Sequence, residues 1–279
     1  MKKLLLSALA GAYIFTGCAT NKNAEIKPVS SKSIALLNKY GINENSLKKT
    51  KDGYVFVISG TKGADIYKID KNYNLLWKKS TPVLIDLIKY EIQNTKLYIL
   101  GYDQNKNKAI LLEYSPDGSL DKTEYFGKKY DLPKDFIILN GKTFTAVTHY
   151  SKNNNSDIII YNGKKNITVS TPYMEDVNFI LPYKKGILIV GTVQNSDENI
   201  ILAYKTFDNK TIWAKTLDMG MDERPLKAEI KNSNLILKIL STDNMGAKKE
   251  MTFTIDEKGN VKNIKKGIEL KPLPTKYRT

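Results

Sequence analysis

Tyr54-Val55-Phe56-Val57-Ile58-Ser59, then Ile66-Tyr67-Lys68-Ile69, the turn Asp70-Lys71-Asn72-Tyr73-Asn74 and finally Leu75-Leu76-Trp77 form the stretch that decides the fold. Two apolar, β-branched and aromatic runs separated by residues that tolerate a left-handed backbone read as antiparallel hairpins. The layout returns four more times. Second strands are expected at Tyr54–Ser59, Leu97–Leu100, Phe144–Val147, Ile187–Val190 and Leu235–Leu240, and third strands at Ile66–Ile69, Ala109–Tyr114, Ile158–Tyr161, Ile200–Tyr204 and Met251–Ile255. The units begin at Gly53, Lys96, Thr143, Gly186 and Asn234, a period of about 45 residues. Later turns carry the same chemistry: Ser115-Pro116-Asp117-Gly118, Asn162-Gly163, Asp208-Asn209 and Asp256-Glu257-Lys258-Gly259. Trp77 and Trp213 hold the same place after the turn, three periods apart.

A four-stranded antiparallel unit repeated at this interval predicts an all-β fold, a β-propeller whose sheets bury both faces by stacking around an axis. A β-sandwich also uses short strands, but it gives no reason for the period. Five blades are expected, with six as the alternative. The ambiguity lies at the ends of the repeat region, residues 33–267. Ser33–Gly41 reads either as a capped helix, Ser at its start and Gly at its end, or as an outer strand that closes the ring. Residues 261–266 compete for the same slot.

The start of the chain carries a different signal. Met1-Lys2-Lys3 precedes an apolar run from Leu4 to Phe15, too short to span a bilayer permanently, and residues 1–17 read as a secretory signal peptide. The run ends in Phe15-Thr16-Gly17-Cys18, which resembles the lipobox of bacterial lipoproteins, and Cys18 is the chain's one cysteine. The resemblance implies that Cys18 is lipidated and becomes the mature N-terminus, anchored by two or three acyl chains. Residues 18–32 then form a tether, and 268–279, with Pro272 and Pro274, a C-terminal tail. Ala19 after the cysteine points to the outer membrane if the organism is Gram-negative.

The repeats add a second resemblance. Lys51-Asp52-Gly53-Tyr54-Val55, Gly60, Ala64-Asp65-Ile66-Tyr67-Lys68-Ile69-Asp70 and Asn74-Leu75-Leu76-Trp77-Lys78-Lys79 together resemble one repeat of bacterial β-propeller lipoproteins. Blades of that family read roughly DGGY…G…D-x-Φ-x-x-Φ-D-x-x-G-x-Φ-x-W. The likeness covers about residues 33–266 and fades along the chain, with Asp121, Thr168 and Asn263 near the tryptophan position of later repeats. It implies the architecture, and function only by analogy.

Composition narrows the chemistry. The 279 residues hold 44 Lys plus Arg against 29 Asp plus Glu, a formal net charge of +15, with one His and one Cys. An intrachain disulfide is excluded, and a histidine-dependent triad or a zinc cage is disfavoured. The lysines are dispersed without an interleaved aromatic stripe, so no nucleic-acid partner is expected, and no cofactor motif is present.

Acidic residues recur in the connections leading into each innermost strand: Asp86, Asp135, Asp176 and Glu223. Placed at equivalent positions they would ring the mouth of the central channel and attract a cation, or a basic or polyhydroxylated ligand. The alternative is that each accepts backbone N–H bonds within its own turn. Asp65 and Asp157, with Asn199 and Glu250 in similar places, read as turn caps. Ser80-Thr81-Pro82 and Ser170-Thr171-Pro172 read as strand punctuation, and His149 as a hydrogen-bonded loop residue. The expectation is a monomeric, non-catalytic binding or scaffold module, without metal or catalytic residues, for a protein or glycan partner. The alternative is a carboxylate-dependent glycoside hydrolase.

Overall fold

The structure is a computed structural model that describes residues 31–151, 155–163, 165–219, 222–243 and 245–270. The leader, Cys18, the tether up to residue 30 and the tail beyond Leu270 lie outside the described residues. The chain divides into two units, Met1–Glu44 and Asn45–Thr279. In the first, α1 spans Ser31–Tyr40 and is closed by Gly41, whose φ of +70° lets its N–H donate to the Leu37 carbonyl at 2.9 Å. The helical alternative for this segment is therefore the one observed.

The second unit is all-β. Among the described residues, β1 (Lys48–Lys49), β2 (Gly53–Gly60), β3 (Gly63–Asp70) and β4 (Leu75–Ser80) pair in order as an antiparallel sheet. The second sheet comprises β5 (Ile85–Gln93), β6 (Lys96–Asp103), β7 (Lys108–Tyr114) and β8 (Leu120–Phe126). An eight-stranded sheet follows, made of two four-stranded meanders joined by one bridge, Ser156 to Met174. Its first half is β9 (Leu132–Leu139), β10 (Lys142–Tyr150), β11 (Ser156–Tyr161) and β12 (Ile167–Val169). Its second half is β13 (Met174–Tyr183), β14 (Gly186–Gln194), β15 (Glu198–Thr206) and β16 (Thr211–Leu217). The last sheet is β17 (Asp222–Lys231), β18 (Asn234–Thr242), β19 (Lys248–Ile255) and β20 (Val261–Leu270), so the final strand runs past the expected boundary at 267. No strand pairing joins the last sheet to the first among the described residues.

The turns explain the register. Asn94-Thr95, Asn140-Gly141 and Asn232-Ser233 each place two successive residues at positive φ, the two-residue loop whose twist matches the flanking strands. The hairpins between third and fourth strands close on one left-handed residue each: Tyr73, Gly118, Asn209 and Gly259. Asp70 and Asp256 begin two of these turns, their Oδ1 atoms accepting the N–H groups two and four residues on.

Alternating side chains serve two neighbours at once, which is why the second and third strands read as unbroken apolar runs. In β6, Leu97 and Ile99 pack with Val55, Val57 and Ile66 of the first sheet, while Tyr98 and Leu100 pack with Phe136. In β14, Ile187 and Ile189 join Phe144, Ile158 and Ile160; Leu188 and Val190 join Leu237, Ile239 and Phe253. Each fully buried Leu or Ile of this kind contributes about 1.5–3 kcal/mol of transfer free energy. The core is a series of layers between sheets, the packing of a β-propeller.

Candidate functional site

Each innermost strand after the first carries a β-bulge, at Ile88, Lys134, Asn178 and Leu226, and these give a common ruler. Asp86 and Asp176 lie two residues before the bulge, Asp135 one residue after it and Glu223 three residues before it. The four expected carboxylates are therefore not equivalent. Asp86 is exposed and accepts from Gln104 Nε2 at 2.6 Å. Asp176 pairs with Lys134 at 2.7 Å and accepts from the Thr148 hydroxyl. Asp135 is buried, pairs with Lys89 of the second sheet at 2.5 Å and accepts the Phe136 and Ile180 N–H groups at 2.8 Å. Burial pushes its carboxyl above the ordinary range even though Lys89 opposes the shift. Asp135 thus fastens together β-structure from three successive meanders.

The position three before the bulge holds Ile85, Asp131, Glu175 and Glu223, and all four are buried. Asp131 accepts His149 Nδ1–H at 2.6 Å, Tyr161 Oη–H at 3.0 Å and the Lys128 N–H at 2.8 Å. Burial, then the charge of Asp131, pushes the Tyr161 phenol up. Glu175 accepts the Thr171 hydroxyl, its other oxygen lacks a partner, and burial raises its carboxyl. Glu223 is pushed up to about 7 by burial, then by Asp218, Asp222 and Asp197. The Asn199 amide, oriented by what it faces, donates to Asp218 Oδ1 and Glu223 Oε2 at 3.2 Å. Where Ile85 replaces the acid, Asp103 opposite it on β6 accepts from Tyr125 Oη and two backbone N–H groups.

Asp131 was missed because it lies ahead of β9, four residues before Asp135. Glu175 was missed because it adjoins Asp176, and such a pair, like Asp222-Glu223, hides which acid points inward. A bulge of one residue decides it. Among the described residues, no three His, Cys, Asp or Glu side chains converge as a metal-ligand set. The expected turn caps also differ in detail. Asp65 lies within β3 and accepts from Ser80 Oγ and Lys78 Nζ on β4, and Glu250 pairs with Lys238. Thr81 and Thr171 do punctuate: the Thr81 hydroxyl accepts the Ala64 N–H and donates to the Val83 carbonyl, and the Thr171 hydroxyl accepts the Tyr173 N–H.

The open volume lies elsewhere. A cavity of about 980 Å3 sits between the first two sheets, on the rim formed by their hairpin turns. Lys49, Thr50, Lys51 and Asp52 line it from one side, Lys68, Asp70, Lys71 and Trp77 from beneath the next hairpin. Ile92, Thr95, Leu97, Ser115 and Pro116 supply the wall from the second sheet. Lys68 is buried, its Nζ donating to Thr50 Oγ1 at 2.9 Å and pairing with Asp52 at 2.5 Å. That ammonium holds the Asp52 carboxyl below its usual range. In the cluster that shares Val55, Trp77, Ile92 and Leu97 with the cavity wall, burial pushes the Tyr114 hydroxyl up to about 12, and it has no hydrogen-bond partner.

Trp77 also marks a joint. A Cβ on Gly118 would stand 2.9 Å from its ring, so the indole of β4 lies directly on the turn of the next sheet. Trp213 does the same with Gly259, again at 2.9 Å. This second joint is filled: Tyr183 and Tyr204 are buried, meet edge to face at 5.0 Å, and Tyr204 meets Trp213 at 6.3 Å.

No protein-family model matches the sequence, and comparison with curated proteins finds no match. Matches are found among solved structures. Dihydro-heme d1 dehydrogenase NirN in complex with DHE gives a TM-score of 0.50 at 10% identity, over 76% of this chain and 44% of that one. BBS1N in complex with ARL6DN gives 0.42 at 10% identity, over 79% and 75%, and a prolyl endopeptidase 0.33 at 10%, over 78% and 42%. The chain thus spans less than half the length of NirN. The first likeness is one of fold, and it agrees with the four-stranded antiparallel sheets described above in pointing to a β-propeller.

Proposed function

We propose that the chain is a lipid-anchored, five-bladed β-propeller of the cell envelope that acts as a non-catalytic binding module for a protein or glycan partner. The observation that carries the binding reading is a division of labour. The buried acids Asp131, Asp135, Glu175 and Glu223 are withdrawn from solvent, and Asp135 ties neighbouring meanders together, whereas the large open volume lies on a rim between sheets. The five four-stranded meanders among the described residues support the five-bladed reading. Anchoring rests on the apolar leader, on Cys18 in its lipobox-like setting, and on two or three acyl chains holding far more firmly than one. Ala19 favours the outer membrane if the cell is Gram-negative. No helix among the described residues is long and apolar enough to cross a membrane.

Two measurements test this reading. Replacing Cys18 by Ser should release the protein from membranes after a high-salt wash; retention would overturn the anchoring. Single replacements of Asp86, Asp135, Asp176 and Glu223 by Ala, assayed on a glycan panel beside the parent, should reveal no turnover in any of them. Hydrolysis by the parent that two of the four replacements abolish would replace the binding module by a glycoside hydrolase.

A further inference from the structure

We infer that the cavity between the first two sheets is a binding site for an acidic oligosaccharide, an inference that rests on the binding reading above and names its ligand class. The two joints that carry a tryptophan superpose by register. Lys68 pairs with Trp77 as Tyr204 pairs with Trp213. Gly53 and Gly186 open the second strands at equivalent points, each so close to the third strand that a Cβ would lie 2.0 Å from a carbonyl oxygen. Counting back across the two-residue loops places Thr50 where the other joint has Tyr183, and Lys51 where it has Lys184. Across the joint, Pro116 of the turn beginning at Ser115 stands where Glu257 follows Asp256.

The same register puts Asp52 where the other joint has Lys185 and Asp117 where it has Lys258, and three further replacements bear on the space beside the tryptophan and on Lys51. Tyr183 and Tyr204, which fill the space beside Trp213, give way to Thr50 and Lys68. Glu257, which pairs with Lys184 and whose carbonyl accepts Trp213 Nε1–H at 2.9 Å, gives way to Pro116. Losing two aromatic rings opens the volume. Losing the acid leaves Lys51 without the counter-charge that its counterpart has, beside Lys49 and Lys71, which likewise make no salt bridge among the described residues. Lys68 alone of these four is neutralised, by Asp52. An open site with unpaired cations on its rim attracts an anion.

The remaining lining chooses among anions. The indole of Trp77 and the ring of Pro116 offer apolar surface for the C–H face of a sugar, and Asn72 offers an amide. Thr50, Thr95 and Ser115, whose own hydroxyls donate to Asp52, the Asn94 carbonyl and Asp121, offer oxygens that accept from sugar hydroxyls. Asp52 and Asp70 lie on the same wall. Their negative charge repels a run of acidic side chains, which disfavours an acidic peptide, while their remaining lone pairs suit sugar hydroxyls. The volume is at the upper end of small-ligand pockets and suits two or three sugar rings.

Titration calorimetry of the mature, lipid-free protein tests this with trigalacturonate, maltotriose and hexaglutamate as probes. Trigalacturonate should bind, weaken as salt is raised, and bind at least tenfold more tightly than maltotriose or hexaglutamate. Thr50→Tyr combined with Lys68→Tyr copies the filled joint and should abolish that binding. Lys51→Glu combined with Lys71→Glu, at exposed positions that leave the core intact, should weaken it at least tenfold. Equal or tighter binding of hexaglutamate, unchanged affinity in the charge-reversed variant, or no binding of trigalacturonate by folded protein would overturn the inference. Partner cross-linking on intact envelopes that survives the Tyr–Tyr variant would leave the binding module standing while removing this site from it.

Discussion

The joint between the first two sheets and the joint between the last two are built on one frame and put to different uses. Both lay a tryptophan of an outer strand on a left-handed glycine of the next hairpin. Around Trp213 the space is closed by two tyrosines, an indole hydrogen bond and the Lys184–Glu257 pair. Around Trp77 the corresponding residues are Thr50, Lys68 and Pro116, and the space is open. In a stack of layers, each sheet draws its stability from its own two interfaces, so one interface is free to give up packing without unfolding the others. The filled joint is the control for the open one.

Emptying the filled joint should cost the most. Tyr204→Ala should cost about 3–5 kcal/mol, because a buried aromatic packed against Tyr183 and Trp213 leaves a void that rigid strands do not collapse into. Lys68→Ala at the equivalent place should cost less than half as much, since Lys68, though buried, borders the open cavity, and Asp52 is left exposed to solvent rather than buried. Urea unfolding of both variants reads the difference. Equal costs would mean that the cavity wall is as tightly packed as the aromatic plug, and the contrast would fall.

A second contrast is electrostatic and concerns the other rim of the last two sheets. The Glu223 carboxyl is raised to about 7 in the folded protein against about 4.5 when unfolded. The native state then holds more protons than the unfolded state between those values, so stability falls as pH rises from about 4.5 to about 7. Glu223→Gln removes the cost of ionising a fully buried acid beside Asp218, Asp222 and Asp197. The variant should match the parent at pH 4.5 and exceed it by up to about 3 kcal/mol at pH 8, at 1.36 kcal/mol per unit. A constant offset at both pH values would show that Glu223 is not ionising in this window. Asp52 behaves oppositely, because Lys68 lowers it: whatever it contributes is present above its unfolded value of 3.8 and lost as pH falls through the lower folded value.

Much of this frame was legible in the residue pattern. Period, strand positions and hairpin turns follow from apolar runs and from Asn, Asp and Gly at left-handed positions, because these are local properties. The acids were legible in kind but not in place. A bulge at Asn178 adds one residue to a strand, and one residue exchanges inside for outside, so Glu175 is buried beside the more exposed Asp176, while Asp131 and Asp135 are both buried rather than at a channel mouth. The cavity was not legible at all. Thr50, Lys68 and Pro116 look like ordinary polar and turn residues until register aligns them with Tyr183, Tyr204 and Glu257. Tyr73 shows the same limit in miniature, since a tyrosine holding φ of 65° is not a residue that turn chemistry selects.

The smallest expected effect discriminates most finely, because it asks whether the two tryptophans differ in freedom. Gly118 and Gly259 have φ of +80° and +78°, and each would bring a Cβ to 2.9 Å of an indole. Alanine in the left-handed region costs about 1–2 kcal/mol at either place. What differs is the ring beneath. Trp213 is held by the Glu257 carbonyl and by Tyr204, so it cannot withdraw, and Gly259→Ala should cost about 1 kcal/mol more than the backbone penalty. Trp77 borders open volume and can tilt into it, so Gly118→Ala should cost the backbone penalty alone. Thermal unfolding of the two variants should therefore place Gly259→Ala lower in Tm. Adding Tyr at positions 50 and 68 should then bring Gly118→Ala down to the same cost, because the refilled joint no longer leaves the indole anywhere to go.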